Sequence, residues 1–375
     1  MRRNKETVKC KIKSIYLPVL LFTVIAAGAA FGETVNEGIF APSRLTSVLG
    51  QDGVTPIPVV FKDGEKKYLW TFGDTLLGTW KGPVVTTATL NFTGAADMAS
   101  MPCNTLALSD APTETNYKDL LFKFYMGSST ASEFIKYDQT ENPFKNRLWA
   151  DNGIQTAGGV YVFYMDVELT KENAIGFKFN GTGLAKAEVP ENAEIAKFNF
   201  ERVKGFYAKD LLLGDGVAEA DGYIYILGRI AKKGDGSLNA LCAARVKPEL
   251  IEDFSAYEFL SQEGTWQKKE KGAFFDDISG EASLVYDSGA NLFRIVYLSG
   301  ITQEIKLVEF STFKEFAQGP DTKSVYKPEP KKDILYYSAK EIFHSKDTVY
   351  LIYIDPSIYQ PILVKHSKPE KFRKN

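Results

Sequence analysis

Histidine and cysteine are scarce in this 375-residue chain: it carries His344, His366, Cys10, Cys103 and Cys242, and no others of either type. A Ser-His-Asp or Cys-His mechanism needs an imidazole as its base, so two histidines leave little room for one. Three cysteines give no disulfide framework, and a Cys103–Cys242 bond is the one pairing left open within the body of the chain. With no Cys/His cluster, no zinc site is expected. Charge of one sign is lacking too, with 45 basic against 47 acidic side chains. No basic stripe runs along the chain, which argues against nucleic acid as a partner, and the lysine-rich residues 362–374 read as a solvated tail. A sustained 3.6-residue apolar period is missing, and only Pro248-Glu249-Leu250-Ile251-Glu252 suggests a helical turn.

The one long apolar run is at the start. Arg2, Arg3, Lys5, Lys9, Lys11 and Lys13 precede it, it extends from Ile15 to Phe31, and Gly32 follows. A basic start, an apolar middle and a small-residue end make a secretory signal peptide over residues 1–32. The run contains Pro18 and is short for a membrane span, which needs about 20 residues. Residues 33–375 are then expected to form a single secreted, periplasmic or cell-surface domain. It would be monomeric, with no transmembrane segment after cleavage.

What is abundant is aromatic residues arranged in a repeat. A turn of Gly, Asp, Ser or Asn is followed by an aromatic-rich strand-like run five times: at Tyr68–Gly73, Val160–Tyr164, Tyr223–Gly228, Leu292–Tyr297 and Thr348–Tyr353. Each run reads as a strand entered from a tight hairpin. The preceding strands are placed at Val54–Phe61, Gly153–Ala157, Val217–Ala220, Ala282–Tyr286 and Ile342–His344. A two-sheet sandwich does not predict a fivefold phrase. The pattern predicts an all-β, five-bladed β-propeller, with blades lengthened by insertions, the longest around residues 76–145.

Each inner strand is preceded or opened by a carboxylate: Asp52, Asp151, Asp215, Glu281 and Glu341. Inner strands of a propeller run in one direction, so residues at one phase meet at one mouth. Carboxylates crowded there cannot all ionise, which spreads their pKa values and suits general acid and base work without histidine. Glycoside hydrolysis uses such a pair. Any single acid before a strand is also an ordinary turn residue, so the shared phase speaks for the group. Asp74 either caps its strand or projects into the site. Trp149 is a candidate sugar platform and Arg245 a candidate contact for substrate hydroxyls or carboxylates. His344 lies on the fifth inner strand, facing the channel.

Asp52-Gly53 with Leu69-Trp70-Thr71-Phe72-Gly73-Asp74-Thr75 resembles the opening blade of the secreted family known as domain of unknown function 4185. Arg147-Leu148-Trp149-Ala150-Asp151-Asn152-Gly153 is similar to its second blade, Ala244-Arg245-Val246 to its third, and Tyr337-Ser338-Ala339-Lys340 to its last. That family includes endo-acting D-arabinanases and is similar to five-bladed glycosidases of the arabinanase, invertase and levansucrase type. The resemblance implies Asp52 as base or nucleophile, Asp151 (with Asp215 as rival) as the orienting acid, and Glu281 as general acid. It implies a carbohydrate or polysaccharide substrate and no required cofactor, with a channel calcium near His344 left open. The other reading is a noncatalytic propeller that binds carbohydrate or a cell-surface partner.

Overall fold

The computed structural model describes residues 32–43, 47–80, 96–126, 131–171, 176–231, 238–269 and 271–368. The expected signal peptide lies outside them except for Gly32. Among the described residues no helix is long and apolar enough to cross a membrane. The protein is all-β. Among the described residues helix is confined to Phe313–Ala317 and to single 3-10 turns, one of them, Pro248–Leu250, at the place the sequence suggested.

Five antiparallel sheets follow one another along the chain. Sheet I runs Thr55–Val60, Lys66–Phe72, Thr105–Ser109 and Lys123–Phe124. Sheet II is built on Asn146–Thr156, Gly159–Leu169 and Phe177–Ala187. Sheet III is built on Leu212–Ala220, Tyr223–Ala231 and Leu238–Val246. Sheet IV runs Ser283–Asp287, Leu292–Leu298, Ile305–Phe310 and Thr322–Tyr326. Sheet V runs Tyr337–Ser345, Thr348–Asp355 and Gln360–Ser367, and its outer strand is Thr34–Ile39 from the other end of the chain. A sixth, three-stranded sheet joins Val48–Gln51, Thr75–Trp80 and Ala96–Ser100. The sequence repeat did not announce this sheet, because two of its strands fall in the segment around residues 76–145 or at its edge and carry no aromatic phrase.

The second strand of each of the five sheets explains how they pack. Side chains on a strand alternate between faces. In sheet II, Val160, Val162 and Tyr164 join a core shared with Ile57, Leu69 and Leu106 of sheet I, while Tyr161 and Phe163 join one shared with Ile224, Ile226 and Cys242 of sheet III. In sheet III, Tyr225 and Leu227 meet Phe293 and Ile295 of sheet IV. Val296 and Leu298 of sheet IV meet Val349, Leu351 and Tyr353 of sheet V. Tyr350 and Ile352 of sheet V meet Trp70 and Phe72 of sheet I. Both faces of each sheet are therefore buried, which is why these strands read as near-continuous apolar runs rather than as an alternation of apolar and polar. The first strands of the five sheets neighbour one another in the same cyclic order. Cys103 and Cys242 are both free and buried, in different interfaces, so the disulfide left open by the sequence is not formed.

Candidate active site

The expected first strands are present, and those of sheets II, III and V are longer than the sequence suggested. Asp52 and Glu281 stand just before Thr55–Val60 and Ser283–Asp287. Asp151, Asp215 and Glu341 instead lie inside Asn146–Thr156, Leu212–Ala220 and Tyr337–Ser345. Each is at an irregularity of its ladder: pairing skips between Val162 and Tyr164 opposite Asp151, between Leu213 and Gly216 at Asp215, and between Glu341 and Phe343. A bulge re-aims a side chain that the regular pleat would send to the neighbouring sheet. Hence Asp151 and Asp215, though embedded in strands, still turn inward.

Four of the five acids converge. Asp215 accepts from Arg229 Nε at 2.8 and 3.2 Å, and Arg229 Nη2 stands 3.7 Å from Glu281 Oε1, so one buried guanidinium serves both carboxylates. Lys340 Nζ donates to Thr55 Oγ1 at 2.8 Å and to Asp151 Oδ1 at 3.5 Å. Asp52 Oδ2 accepts from Tyr337 Oη at 3.0 Å. Asp74 joins them: Tyr359 Oη reaches its carbonyl at 3.1 Å, and Arg147 Nε is 3.7 Å from its Oδ1. Asp151 and Asp215 side chains are each 1% exposed, against 15% for Glu281 and 16% for Asp74. Glu281, Asp74 and Asp52 thus keep a little exposure, whereas Asp151 and Asp215 have almost none.

The electrostatic consequences differ sharply. Burial, reinforced by the nearby Asp74 and Glu281 charges, pushes Asp52 up to about 8, against the hydrogen bonds of Tyr359 and Tyr337. Burial also pushes Asp74 to about 6, opposed by Trp149 and Arg147. Asp151 is raised by burial, which Lys340 only partly offsets, and its Oδ2 has no hydrogen-bond partner among the described residues. Asp215 is raised by burial despite Arg229. Glu281 goes the other way. Burial works to raise it, but Lys340, Arg229 and the Ser338 hydroxyl together hold it below the usual glutamate range. The carboxylates of one crowd are thus pushed in opposite directions, as like charges in a small space are.

Glu341 does not belong to this cluster, which corrects the uniform ring expected from the sequence. Both its oxygens accept from Arg294, at 2.9 and 3.0 Å, and His344 Nδ1 lies 2.8 Å from Oε1. Arg294 also donates to Asp287 Oδ2 at 2.8 Å, while Asp287 Oδ1 accepts from Gly289 and Ala290 N–H at 3.0 Å. All four oxygens of this network are engaged, and the guanidinium supplies the positive charge. The residues around His344 therefore do not fit a calcium ion. Among the described residues no three His, Cys, Asp or Glu side chains are arranged to hold a metal. Glu341 and His344 line a cavity of about 900 Å³ with Tyr68, Gln155, Tyr286 and Phe343, and Thr55 and Lys340, which contact the acid cluster, line it too.

Two further expectations need correction or refinement. Arg245 is not brought to the acids: on the third strand of sheet III it pairs with Glu258 at 2.8 Å and lies between Tyr223 and Trp266. Trp149 is packed edge-on against Phe177, ring centroids 4.9 Å apart, with its indole near Asp74 rather than presented as an open platform. The residues that sequence reasoning missed are the acids' partners, Arg229 in this role, Lys340, Tyr337, Ser338 and Tyr359. The phrase Tyr337-Ser338-Ala339-Lys340 had been singled out, but nothing in its spacing says that a strand irregularity turns its side chains onto the acids.

An all-β protein with a carboxylate cluster where its first strands meet is thus defined by fold and site together. The chain belongs to the family described as Domain of unknown function (DUF4185), whose model matches residues 53–357. No curated protein matches it. Among solved structures it is similar to a family 117 glycoside hydrolase from the marine bacterium Zobellia galactanivorans, at 10% identity and a TM-score of 0.48, covering 92% of this chain and 93% of that one. It is also similar to a GH43_1 enzyme from Xanthomonas citri, at 13% identity and a TM-score of 0.45, covering 87% and 92%. A protein of unknown function from Dyadobacter fermentans is similar at 12% identity and a TM-score of 0.43, covering 84% and 76%. At these scores the likenesses carry no argument for an activity, which has to come from the chemistry of the site.

Proposed function

We propose that the protein is a secreted glycoside hydrolase that cleaves a polysaccharide at the mouth of a five-bladed β-propeller. The propeller reading is supported by the five sheet-to-sheet cores, each shared by successive sheets, with sheet V meeting sheet I. The sixth sheet is then an addition built from the chain around blade one.

One observation carries the catalytic reading: two partly exposed acids of one cluster are pushed in opposite directions by their neighbours. Asp52 has hydroxyl donors and like charges around it and is protonated near neutral pH. Glu281 lies between Arg229 and Lys340 and is ionised. Cleavage of a glycosidic bond needs a carboxylic acid to protonate the leaving oxygen and a carboxylate to attack or to activate water. Asp52 is assigned the acid and Glu281 the base or nucleophile, the reverse of the roles the family resemblance implied. Asp151 and Asp215 are too buried to touch a polymer, and act by setting the field around the pair. Asp74 stands beside Asp52 and raises its pKa. The substrate class, a furanoside polysaccharide of arabinan type, rests on the family resemblance.

The pH profile tests the assignment. The acid must carry its proton, so activity is present below about 8 and lost as pH rises through that value. The base must be ionised, so activity falls in acid only below the ordinary glutamate range. A broad plateau with an alkaline limb near 8 is expected when kcat/KM is measured against pH. A profile still flat at pH 10, or one already falling at pH 5 to 6 on its alkaline side, would rule out Asp52 as the acid.

A further inference from the structure

Tyr337-Ser338-Ala339-Lys340 opens the first strand of sheet V, and its side chains touch three of the four converging acids. Tyr337 donates to Asp52, Ser338 donates to Glu281 by a short hydrogen bond, and Lys340 donates to Asp151. A regular strand cannot do this, because consecutive side chains point to opposite faces. The ladder is broken here, its pairing skipping from Tyr337 to Lys340. Within the break Ser338 adopts a left-handed conformation, with φ at 55°. Outside glycine that region is uncommon, and asparagine, aspartate and histidine are the residues enriched in it, so a serine held there by its surroundings carries backbone strain.

The surroundings that hold it are specific. Ser338 is 1% exposed. Its N–H donates to the Ser279 carbonyl at 2.8 Å, and its hydroxyl oxygen lies 3.3 Å from the Glu281 N–H, which donates to it. The same hydroxyl donates to Glu281 Oε2. Gly280, between these two contacts, has φ at 76°, and a Cβ there would stand 2.8 Å from Ser338 N and closer still to its Oγ. The left-handed Ser338, packed against the bare Cα of Gly280, therefore holds both the backbone and the carboxylate of Glu281 with a single hydroxyl.

We propose that Ser338 is a positioning residue, held in the left-handed conformation so that its hydroxyl fixes the orientation of the Glu281 carboxylate in the site. The proposal deepens the glycosidase reading and rests on it for its kinetic consequence, but its effect on Glu281 is independent of any activity. The charged groups around Glu281 are Arg229 from sheet III and Lys340 from sheet V, with Asp52, Asp151 and Asp215 as the acids it interacts with. The two cations favour its ionised form. The serine adds direction, which a point charge at 3.7 Å does not supply.

Ser338→Gly separates position from strain. Glycine tolerates the left-handed backbone at no steric cost, so the variant folds and melts no lower than wild type, while the hydroxyl is gone. Two readouts follow. The first is titration of the Glu281 carboxyl by carbon-13 NMR on glutamate-labelled protein, assigned with Glu281→Gln. Its midpoint is expected to rise by about one pH unit, a tenfold change in its ionisation constant. The second is steady-state kinetics, where kcat is expected to fall about tenfold to a hundredfold with KM little changed, and the acid limb to move up with the titration. Ser338→Asn, which keeps a hydrogen-bond donor at a position that tolerates left-handed backbone, is expected to recover part of both. An unmoved Glu281 titration in a folded Ser338→Gly protein overturns the proposal. A moved titration supports it even in a protein that cleaves no polysaccharide, a result that would count only against the glycosidase reading.

Discussion

Glu281→Gln is expected to reduce kcat by about 10²- to 10⁴-fold, the range for removing a general acid–base group, while leaving the fold intact. Glutamine keeps the shape: its carbonyl oxygen can face Arg229 while its NH2 donates to the Ser338 hydroxyl oxygen, so both neighbours keep a compatible partner. What is lost is the negative charge that Arg229 and Lys340 maintain. In the variant the two cations retain Asp215 and Asp151 as partners, so neither is stranded. Asp52 would also lose one of the like charges that keep it protonated, so its pKa falls. Residual activity should therefore show an alkaline limb shifted downward. Unchanged kcat in a Glu281→Gln protein with a wild-type melting curve would remove Glu281 from the chemistry.

Arg294→Met is expected to be the most destabilising single change among the buried ion pairs. Arg294 and Glu341 side chains are each 1% exposed, and the guanidinium satisfies both oxygens of Glu341 as well as Asp287. Removing one member of a buried ion pair leaves an uncompensated charge and costs about 3–5 kcal/mol, whereas replacing both members by apolar groups is often near neutral. The double variant Arg294→Met/Glu341→Met should thus recover much of the loss in denaturant unfolding. The pH dependence has a definite sign. Burial works to raise Glu341, but His344 and Arg294 hold it below 4.5. Its stabilising contribution is present above that value and lost as pH falls through the folded-state pKa. The gap between wild type and Arg294→Met should therefore be widest at neutral pH and close in acid. A gap that stayed constant from pH 7 to pH 3 would mean that packing, not charge, is what Arg294 supplies.

The fold was largely legible in the sequence because its repeat is a packing repeat. Each of the five aromatic phrases had to fill cores on both sides of its sheet, and that demand writes Val-Tyr-Val-Phe-Tyr and Tyr-Ile-Tyr-Ile-Leu plainly into the chain. The three strands of the sixth sheet make no such demand, and they were missed. Their largest core is the small cluster of Val48, Leu77 and Ala131. The acids were found by phase, and phase was a fair guide for Asp52 and Glu281, which do precede their strands. Asp151 and Asp215 reach the cluster through bulges rather than through strand phase, and Glu341, at a bulge of its own, faces Arg294 instead. Bulges depend on pairing across strands, so no count along one strand reveals them. The same limit hid Ser338: a serine in a strand carries no mark of a positive φ. The roles of the pair were also beyond the sequence, because they depend on which cations stand beside which acid.

The central claim is that the acid pair cleaves glycosidic bonds. The direct measurement is release of reducing ends by the purified protein from a panel of neutral polysaccharides (D-arabinan, L-arabinan, xylan and levan), with Asp52→Asn assayed alongside. Release from at least one furanose polymer by wild type, and its loss in Asp52→Asn at equal thermal stability, is the predicted result. Polymer binding without release by wild type, or release that Asp52→Asn matches, would contradict it.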